Sequence, residues 1–499
     1  MIELFKKRDF LGLAIFFASL GILIWYYVAK ITIFNRPDYQ SDLYTHLEIS
    51  RGWLQGRPLM HENCYGFHGK IHNYFFDLLM GPLTKQWGVI GLFVTQFALY
   101  IIALLYTFPT IYKKEASLNH RLYTAVFYIA FFCAPFSFWL FDNPHYGFHT
   151  EMLYIPLGFI FAISLYKKQH WVSALSAILM VSVKEDGAVM VACIHLLFIA
   201  LQFAAKKTTT KRWLLQSLLW GSVWVAVFVA GVYYLKLQND FGYDRITESF
   251  ERIGLQSKEN IRTYFTGIFS SFGLMVLPLA AFMLFIRQLN YKAWLWWLAF
   301  SIPIIIVNLI SGFVYFPAQF FSLTWVPRFA LTFSLFLAMG SFSLLMFSRA
   351  WFRPSFVLWV VAIGFSIVLF KWQISLLNSE IEYSYPKYSR RIFSINTHHQ
   401  NYPHWEDMRK LGKVLPPMYP IAPPYPMFGY FHKQDLIWTN LIPVAHIWPR
   451  MIVFNESNIG QSDPHKAIQN PDSLVAEKLT YYFVPEDRHY LIEAGITPK

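Results

Sequence analysis

Charge is what this chain has least of. Only 14% of its 499 residues are Asp, Glu, Lys or Arg, where an ordinary globular domain carries about a quarter. With 56% hydrophobic and 19% aromatic residues, that deficit excludes a body whose whole surface faces water. Cysteine is nearly absent as well. Cys133 and Cys193 fall in apolar runs and only Cys64 in a polar stretch, so no exposed pair exists for an internal disulfide. Acids are outnumbered, 29 against 42 Lys and Arg, for a formal net charge of +13. That excess does not read as a nucleic-acid surface, because the basic residues gather in short segments between apolar runs, as the positive-inside rule requires. The first apolar run lacks a small-residue cleavage signal and reads as a retained helix. No repeat of about 20–50 residues and no low-complexity tail is present.

What the chain does have is a series of apolar runs long enough to span a bilayer. Lys6, Lys7 and Arg8 place the N-terminus on the cytoplasmic side, and span 1 runs from about Phe10 to Ile33. Later spans fall near Val89–Phe108, Leu122–Leu140, up to Lys167, Trp171–Val183, up to Ala205, Leu214–Leu235, Tyr264–Ile286, up to Ile310, up to Arg349, and Pro354–Phe370. Every inner connection is then basic, including Lys113 with Lys114 and Arg121, Lys206 to Arg212, and Arg287 with Lys292. The expected fold is mostly α: a polytopic membrane protein of about eleven transmembrane helices over residues 1–370, with a large first outer loop at 34–88. Past Lys371 the prolines gather and apolar runs shorten to strand length, as in RMIVFN and LTYYFV. Residues 371–499 are therefore expected to form a small extracytoplasmic α/β domain. The compartment is the cell membrane, the inner one if the cell has two.

Ionisable residues concentrate where this topology places the outer face. The first loop is polar enough to require water or a cavity open to it. Asp38, Asp42 and His46 are spaced i, i+4, i+8, which puts them on one face if the stretch is helical. A shielded carboxylate there can act as general base. Asp42 is the better candidate, since Pro37 suits a first helical turn and the dipole alone would explain Asp38. The alternative is an ordinary solvated face. His68 and His72 are also four apart, with Gly69 between them. Paired imidazoles can bind metal or phosphate, or simply sit at the interface. Asp142, His145, His149 and Glu151 precede span 4, and an ionisable group at a span edge needs a cavity or a partner. Lys184, Glu185 and Asp186 form a run of charges after a short span. At least one must face inward on a helix, and the lysine suits an anionic phosphate; a self-neutralising turn is the plainer reading. Arg328 opens span 10 beyond an aromatic run and can grip a lipid-linked phosphate or anchor the interface. Arg245 and Arg262 are weaker versions of the same idea.

These residues also carry a resemblance. The stretches SDLYTHLEISRGWLQGRPL, His72 ahead of Pro82, GFHTEMLYIPL and VKEDGAVMVA resemble the prokaryotic multi-pass membrane family called domain of unknown function 2079. Asp42 matches its first-loop aspartate, His72 its loop histidine, Phe148, His149 and Glu151 its F-H-x-E element, and Lys184, Glu185 and Asp186 its K-E-D element. The stretch VLPPMYPIAPPYPMFGYFHKQDLIW resembles its outer domain. This chain departs at a second loop aspartate, where His46 and Glu48 lie nearby, at Thr150 in place of proline, and at Ile71 in place of an acid.

That family is similar in turn to membrane glycosyltransferases of the GT-C type, and the resemblance implies a GT-C-like fold and activity. The implied donor is a polyprenyl-phosphate-linked sugar embedded among membrane lipid, with no nucleic-acid partner. Asp42 would be the base. Lys184, Arg328 and His72 would meet the donor phosphate. His149, Glu151, Glu185, Asp186, His46 and His68 would orient substrate. Some enzymes of that type use a divalent metal and some do not, so the metal requirement stays open. Two rivals remain: a transporter or flippase of a lipid-linked precursor, which would keep charges near the middle of broken helices, and a non-catalytic scaffold.

Overall fold

The computed structural model describes residues 9–35, 42–63, 66–70, 72–133, 147–205, 207–237, 299, 326–346, 405–437, 448–455, 467–468, 470–476 and 479–497. In chain order the elements are α1 (Phe10–Phe34), α2 (Asp42–Gly52), the short strands β1 (His61–Glu62) and β2 (Gly66–Phe67), α3 (Phe75–Trp87), α4 (Val89–Ile111) and α5 (Leu118–Val126), which continues as a π-helical segment Phe127–Cys133. Then come α6 (Tyr154–Lys167), α7 (His170–Val183), α8 (Gly187–Ala204), α9 (Thr210–Leu237), α10 (Val326–Met346), α11 (Trp405–Val414), β3 (Pro420–Ala422), β4 (Asp435–Leu436), β5 (Met451–Asn455), β6 (Asp472–Ala476), β7 (Leu479–Phe483) and α12 (Arg488–Glu493).

Four helices among the described residues are long and apolar enough to cross a membrane: Phe10–Val28, Val89–Ile111, Gly187–Ala204 and Thr210–Tyr234. They coincide with four of the apolar runs read from sequence. The runs near Tyr264–Ile286, Ile310 and Pro354–Phe370 lie outside the described residues, as do Asp38, Asp142, His145, Arg245 and Arg262.

The chain packs as two compact units. The first comprises Met1–Tyr26, Gln96–Trp139 and Glu151–Ser389. Its centre is α6, buried at every position from Tyr154 to Ser164, as expected of a helix apolar all round. It packs on α7, α8 and α10. The turn between α7 and α8 is tight enough that a Cβ on Gly187 would run into the Met180 carbonyl. Asp9 caps α1 by accepting the Gly12 N–H at 3.2 Å, and it also binds the Arg121 guanidinium at 2.7 Å and the Tyr112 hydroxyl at 3.0 Å.

The second unit comprises Tyr27–Thr95, Leu140–Thr150 and Arg390–Lys499. The strands β3 to β7 form one sheet in the order β4-β3-β5-β7-β6. Its β4, β3 and β5 are mutually parallel, and β7 pairs antiparallel with both β5 and β6. The two strand-length segments singled out in the sequence become β5 and β7, with Ile452 opposite Tyr482. Leu479, Tyr481 and Phe483 alternate inward along β7, and Ala422, Ile437, Ile452, Ala467 and Ile468 form a core beside the sheet.

Of the two settings expected for the first loop, water or a cavity open to it, its helix does not take the first: every residue of α2 from Leu43 to Gly52 is buried. The physical reason is internal pairing, since a polar group tolerates burial when its hydrogen bonds are made within the protein. Helix α3 lies close against α2. Trp53 Nε1 donates to the Leu78 carbonyl at 3.2 Å and Ser50 Oγ to Thr84 Oγ1 at 2.8 Å. Gly81 permits the approach, because a Cβ there would stand 2.5 Å from the Ser50 carbonyl oxygen.

Candidate functional site

Two polar clusters, one in each unit, hold most of the residues singled out above. In the second unit α2 carries His46 one helical turn after Asp42, the first residue of the helix. His46 Nδ1 lies 2.6 Å from Asp77 Oδ2 on α3. Thr150 Oγ1 donates to Asp77 Oδ1 at 2.8 Å and stands 3.1 Å from the same imidazole nitrogen. All three are buried; His46 is 1% exposed and Asp77 not at all. The imidazole of His149 approaches that of His46 edge-on, ring centres 5.2 Å apart. Tyr74 stands amid four histidines, its ring 4.8 Å from His46, 5.1 Å from His72, 5.5 Å from His68 and 6.5 Å from His149.

His68 and His72 are linked by a single turn, the His72 N–H donating to the His68 carbonyl at 3.1 Å. His68 opens a single 3-10 turn, His68–Lys70, and His72 follows it. A helix cannot run on past Gly69 at little cost, and β2 ends immediately before His68. The rings still lie 6.4 Å apart, and His68 Nδ1 is 3.6 Å from Glu62 Oε1.

Beside this cluster α2 presents a second buried set. Glu48 receives Arg51 at 2.6 Å, Arg57 at 2.7 Å and the Asn63 amide at 3.0 Å. Arg57 also binds Asp435 at the start of β4. Arg51 donates to the carbonyls of His432, at 3.0 Å, and Gln434. Two cations thus face two carboxylates, and two stretches remote in sequence, Arg57–Asn63 and His432–Asp435, are tied to α2. Burial would lift the Glu48 carboxyl, but Arg51 and Arg57 outweigh it and hold it below its ordinary value. Asp435 is pushed up to about 7, first by burial and then by Glu48, against the pull of Arg57 and Arg51.

A pH dependence follows. An acid whose folded-state value lies above its unfolded value stabilises the fold when protonated. The contribution of Asp435 is complete below its unfolded value of 3.8 and is lost as pH rises through about 7. Glu48 acts in the opposite sense, but only below its ordinary value of 4.5. The melting temperature of the purified protein, followed by tryptophan fluorescence, should fall between about pH 4 and pH 7 and level off above. Asp435→Asn should flatten that slope; an unchanged slope would rule Asp435 out as its source.

In the first unit Lys184 Nζ is 2.9 Å from Glu151 Oε1. Glu151 belongs to the 3-10 turn Thr150–Leu153 ahead of α6. The Tyr154 hydroxyl donates to Asp186 Oδ1 at 2.5 Å, and Asp186 is pushed up to about 6 by burial, with Glu185 and Glu151 adding to that rise against Lys184's opposing pull. Lys184, Glu185 and Asp186 form a turn, not a helix: α7 ends at Val183 and α8 begins at Gly187. The lysine's partner is therefore the distant Glu151, while its neighbour Asp186 takes a tyrosine. Arg328 is the third residue of α10; its side chain, like that of Asp42, lies outside the described residues.

Sequence reasoning missed Asp77, Tyr74, Tyr154 and the Arg51–Arg57 pair. Asp77 could have been found: it is a lone acid in FFDLLMGPL, the same signal that drew notice to Glu151. Among the described residues no three His, Cys, Asp or Glu side chains are disposed to hold a metal ion.

A family model described as predicted membrane protein (DUF2079) matches residues 50–403. His72, His149, Glu151 and Lys184 to Asp186 fall within it; Asp42 and His46 precede it, and the C-terminal stretch likened to the family's outer domain lies beyond it. No curated protein and no solved structure matches the chain.

Proposed function

The chain belongs to the DUF2079 family of predicted membrane proteins, and we propose that it transfers a sugar from a polyprenyl-phosphate donor to an acceptor at the outer face of the membrane, in the manner of GT-C enzymes. The observation that carries this reading is the buried convergence of His46, Asp77, Thr150 and His149 from three separate segments. Burying ionisable groups is costly unless they pair, and a paired imidazole beside other imidazoles suits proton transfer and oxyanion contact.

In this proposal helix α2 provides the general base, Asp42 by the family pattern, and the acceptor oxygen displaces the lipid phosphate with inversion. His72 and Arg328 contact the donor phosphate, and Lys184 neutralises it as it leaves, exchanging its Glu151 partner for the phosphate. His149, Glu151, Glu185, Asp186 and His68 orient the substrates. The proposed arrangement has about eleven spans, a cytoplasmic N-terminus and an extracytoplasmic C-terminal segment.

The test is purified protein in proteoliposomes, supplied with radiolabelled polyprenyl-phosphate sugars and a cell-envelope extract as acceptor. The expected result is labelled acceptor and free polyprenyl phosphate in equal amounts. Asp42→Asn should lower the rate by at least about 10²-fold with an unchanged melting curve. Movement of the lipid-linked sugar across the bilayer with no bond broken would overturn the proposal in favour of transport.

A further inference from the structure

His46 is held through one ring nitrogen, with Asp77 and Thr150 both gathered at Nδ1. An ionised carboxylate accepts hydrogen bonds and donates none. With Asp77 Oδ2 at 2.6 Å from Nδ1, the shared proton belongs on that nitrogen. Thr150 occupies the other carboxylate oxygen at 2.8 Å, so both acceptors of Asp77 are engaged and the carboxylate cannot turn away. The ring is walled by Tyr74 at 4.8 Å, His149 at 5.2 Å and Phe148 at 5.5 Å. The titratable groups that face it are Asp77 from α3, Tyr74 just ahead of α3 and His149 beside Thr150. Nε2 has no hydrogen-bond partner among the described residues.

We infer that His46, fixed by Asp77 and Thr150 as the Nδ1–H tautomer, is the group that takes the proton from the acceptor, with Asp77 and Thr150 as positioning residues. This rests on the transfer reading above and moves the proton from Asp42 to the next turn of the same helix, leaving Asp42 to hold the acceptor hydroxyl. The acceptor O–H gives its proton to Nε2 as its oxygen bonds to the anomeric carbon. The bond from that carbon to the lipid phosphate oxygen breaks, and its electron pair leaves on the phosphate. The imidazolium so formed faces the Asp77 carboxylate, which stabilises it, and it returns the proton to water after product leaves. The logic is that of any base oriented by a buried carboxylate.

The inference is tested first without any substrate. Full-length protein labelled with ¹⁵N in its histidine rings is examined by NMR in detergent micelles near neutral pH, and His46 is assigned from the spectrum lost in His46→Gln. A protonated Nδ1 with a bare Nε2 is expected, and Asp77→Ala should release the ring to the Nε2–H tautomer that free imidazole prefers. A protonated Nε2 in the wild type overturns the inference, whatever the variants do. The second readout is the pH profile of transfer. Asp77→Asn should lower kcat by about 10³–10⁴-fold with little change in KM. Thr150→Val, which removes only the hydroxyl, should lower kcat less and leave the melting curve in place. Unchanged kcat and pH profile in Asp77→Asn also overturn it. Transfer with the opposite tautomer sinks the His46 role alone. The expected tautomer with no transfer from any donor sinks the transfer reading and, with it, the proton's source.

Discussion

Arg57→Met should strongly destabilise the second unit. The guanidinium is buried and bonds both Glu48, at 2.7 Å, and Asp435. Its removal leaves two buried carboxylates with Arg51 as the remaining cation beside them among the described residues. Breaking one partner out of a buried ion pair costs about 3–5 kcal/mol, far more than an exposed pair contributes. The melting temperature should fall on the order of 10 °C, and limited proteolysis within residues 405–437 should be faster than in the wild type. The companion double variant Glu48→Gln with Arg57→Met removes the stranded charge with its partner and should recover part of the loss. If Arg57→Met melts like the wild type, the network is not what holds α2 to β4.

Lys184→Met is expected to have the second large effect, and on catalysis more than on folding. Lys184 is 13% exposed at its side chain and pairs with Glu151 at 2.9 Å. An ammonium that neutralises a leaving phosphate acts as an electrostatic stabiliser, and losing one such donor typically costs about 10²–10³-fold in kcat. The same substitution removes the cation that Glu151 faces, so a stability loss accompanies it. The two effects separate in the double variant Glu151→Gln with Lys184→Met. Melting should return toward the wild-type value while transfer stays lost. A double variant that regains transfer would show that Lys184 serves only to neutralise Glu151.

Several features were legible because they depend on residues near one another in sequence. Apolar runs of membrane-spanning length need no partner to be recognised, and Phe10–Val28, Val89–Ile111, Gly187–Ala204 and Thr210–Tyr234 are such runs. The strands β5 and β7 were visible in the same way, as short β-branched and aromatic stretches. So was the oddity of His149, Glu151 and the Lys184 turn, since charge beside apolar sequence demands a partner wherever it falls. The identity of that partner was not legible. Lys184 sits next to Glu185 and Asp186, yet its ammonium reaches Glu151, because the turn between α7 and α8 aims adjacent side chains in different directions.

Local sequence by itself determined that this chain is helical, apolar and membrane-embedded, and that a handful of ionisable residues would need company. Only the tertiary structure decided which groups meet: Asp77 with His46 and Thr150, Arg57 with Glu48 and Asp435, Tyr154 with Asp186. It also decided that α2, polar by composition, is buried from Leu43 to Gly52. The physical reason is that propensity and hydropathy act over a few residues, whereas ion pairs and hydrogen bonds act through space. Residues 31, 104 or 378 positions apart become neighbours only when the helices and the sheet have packed.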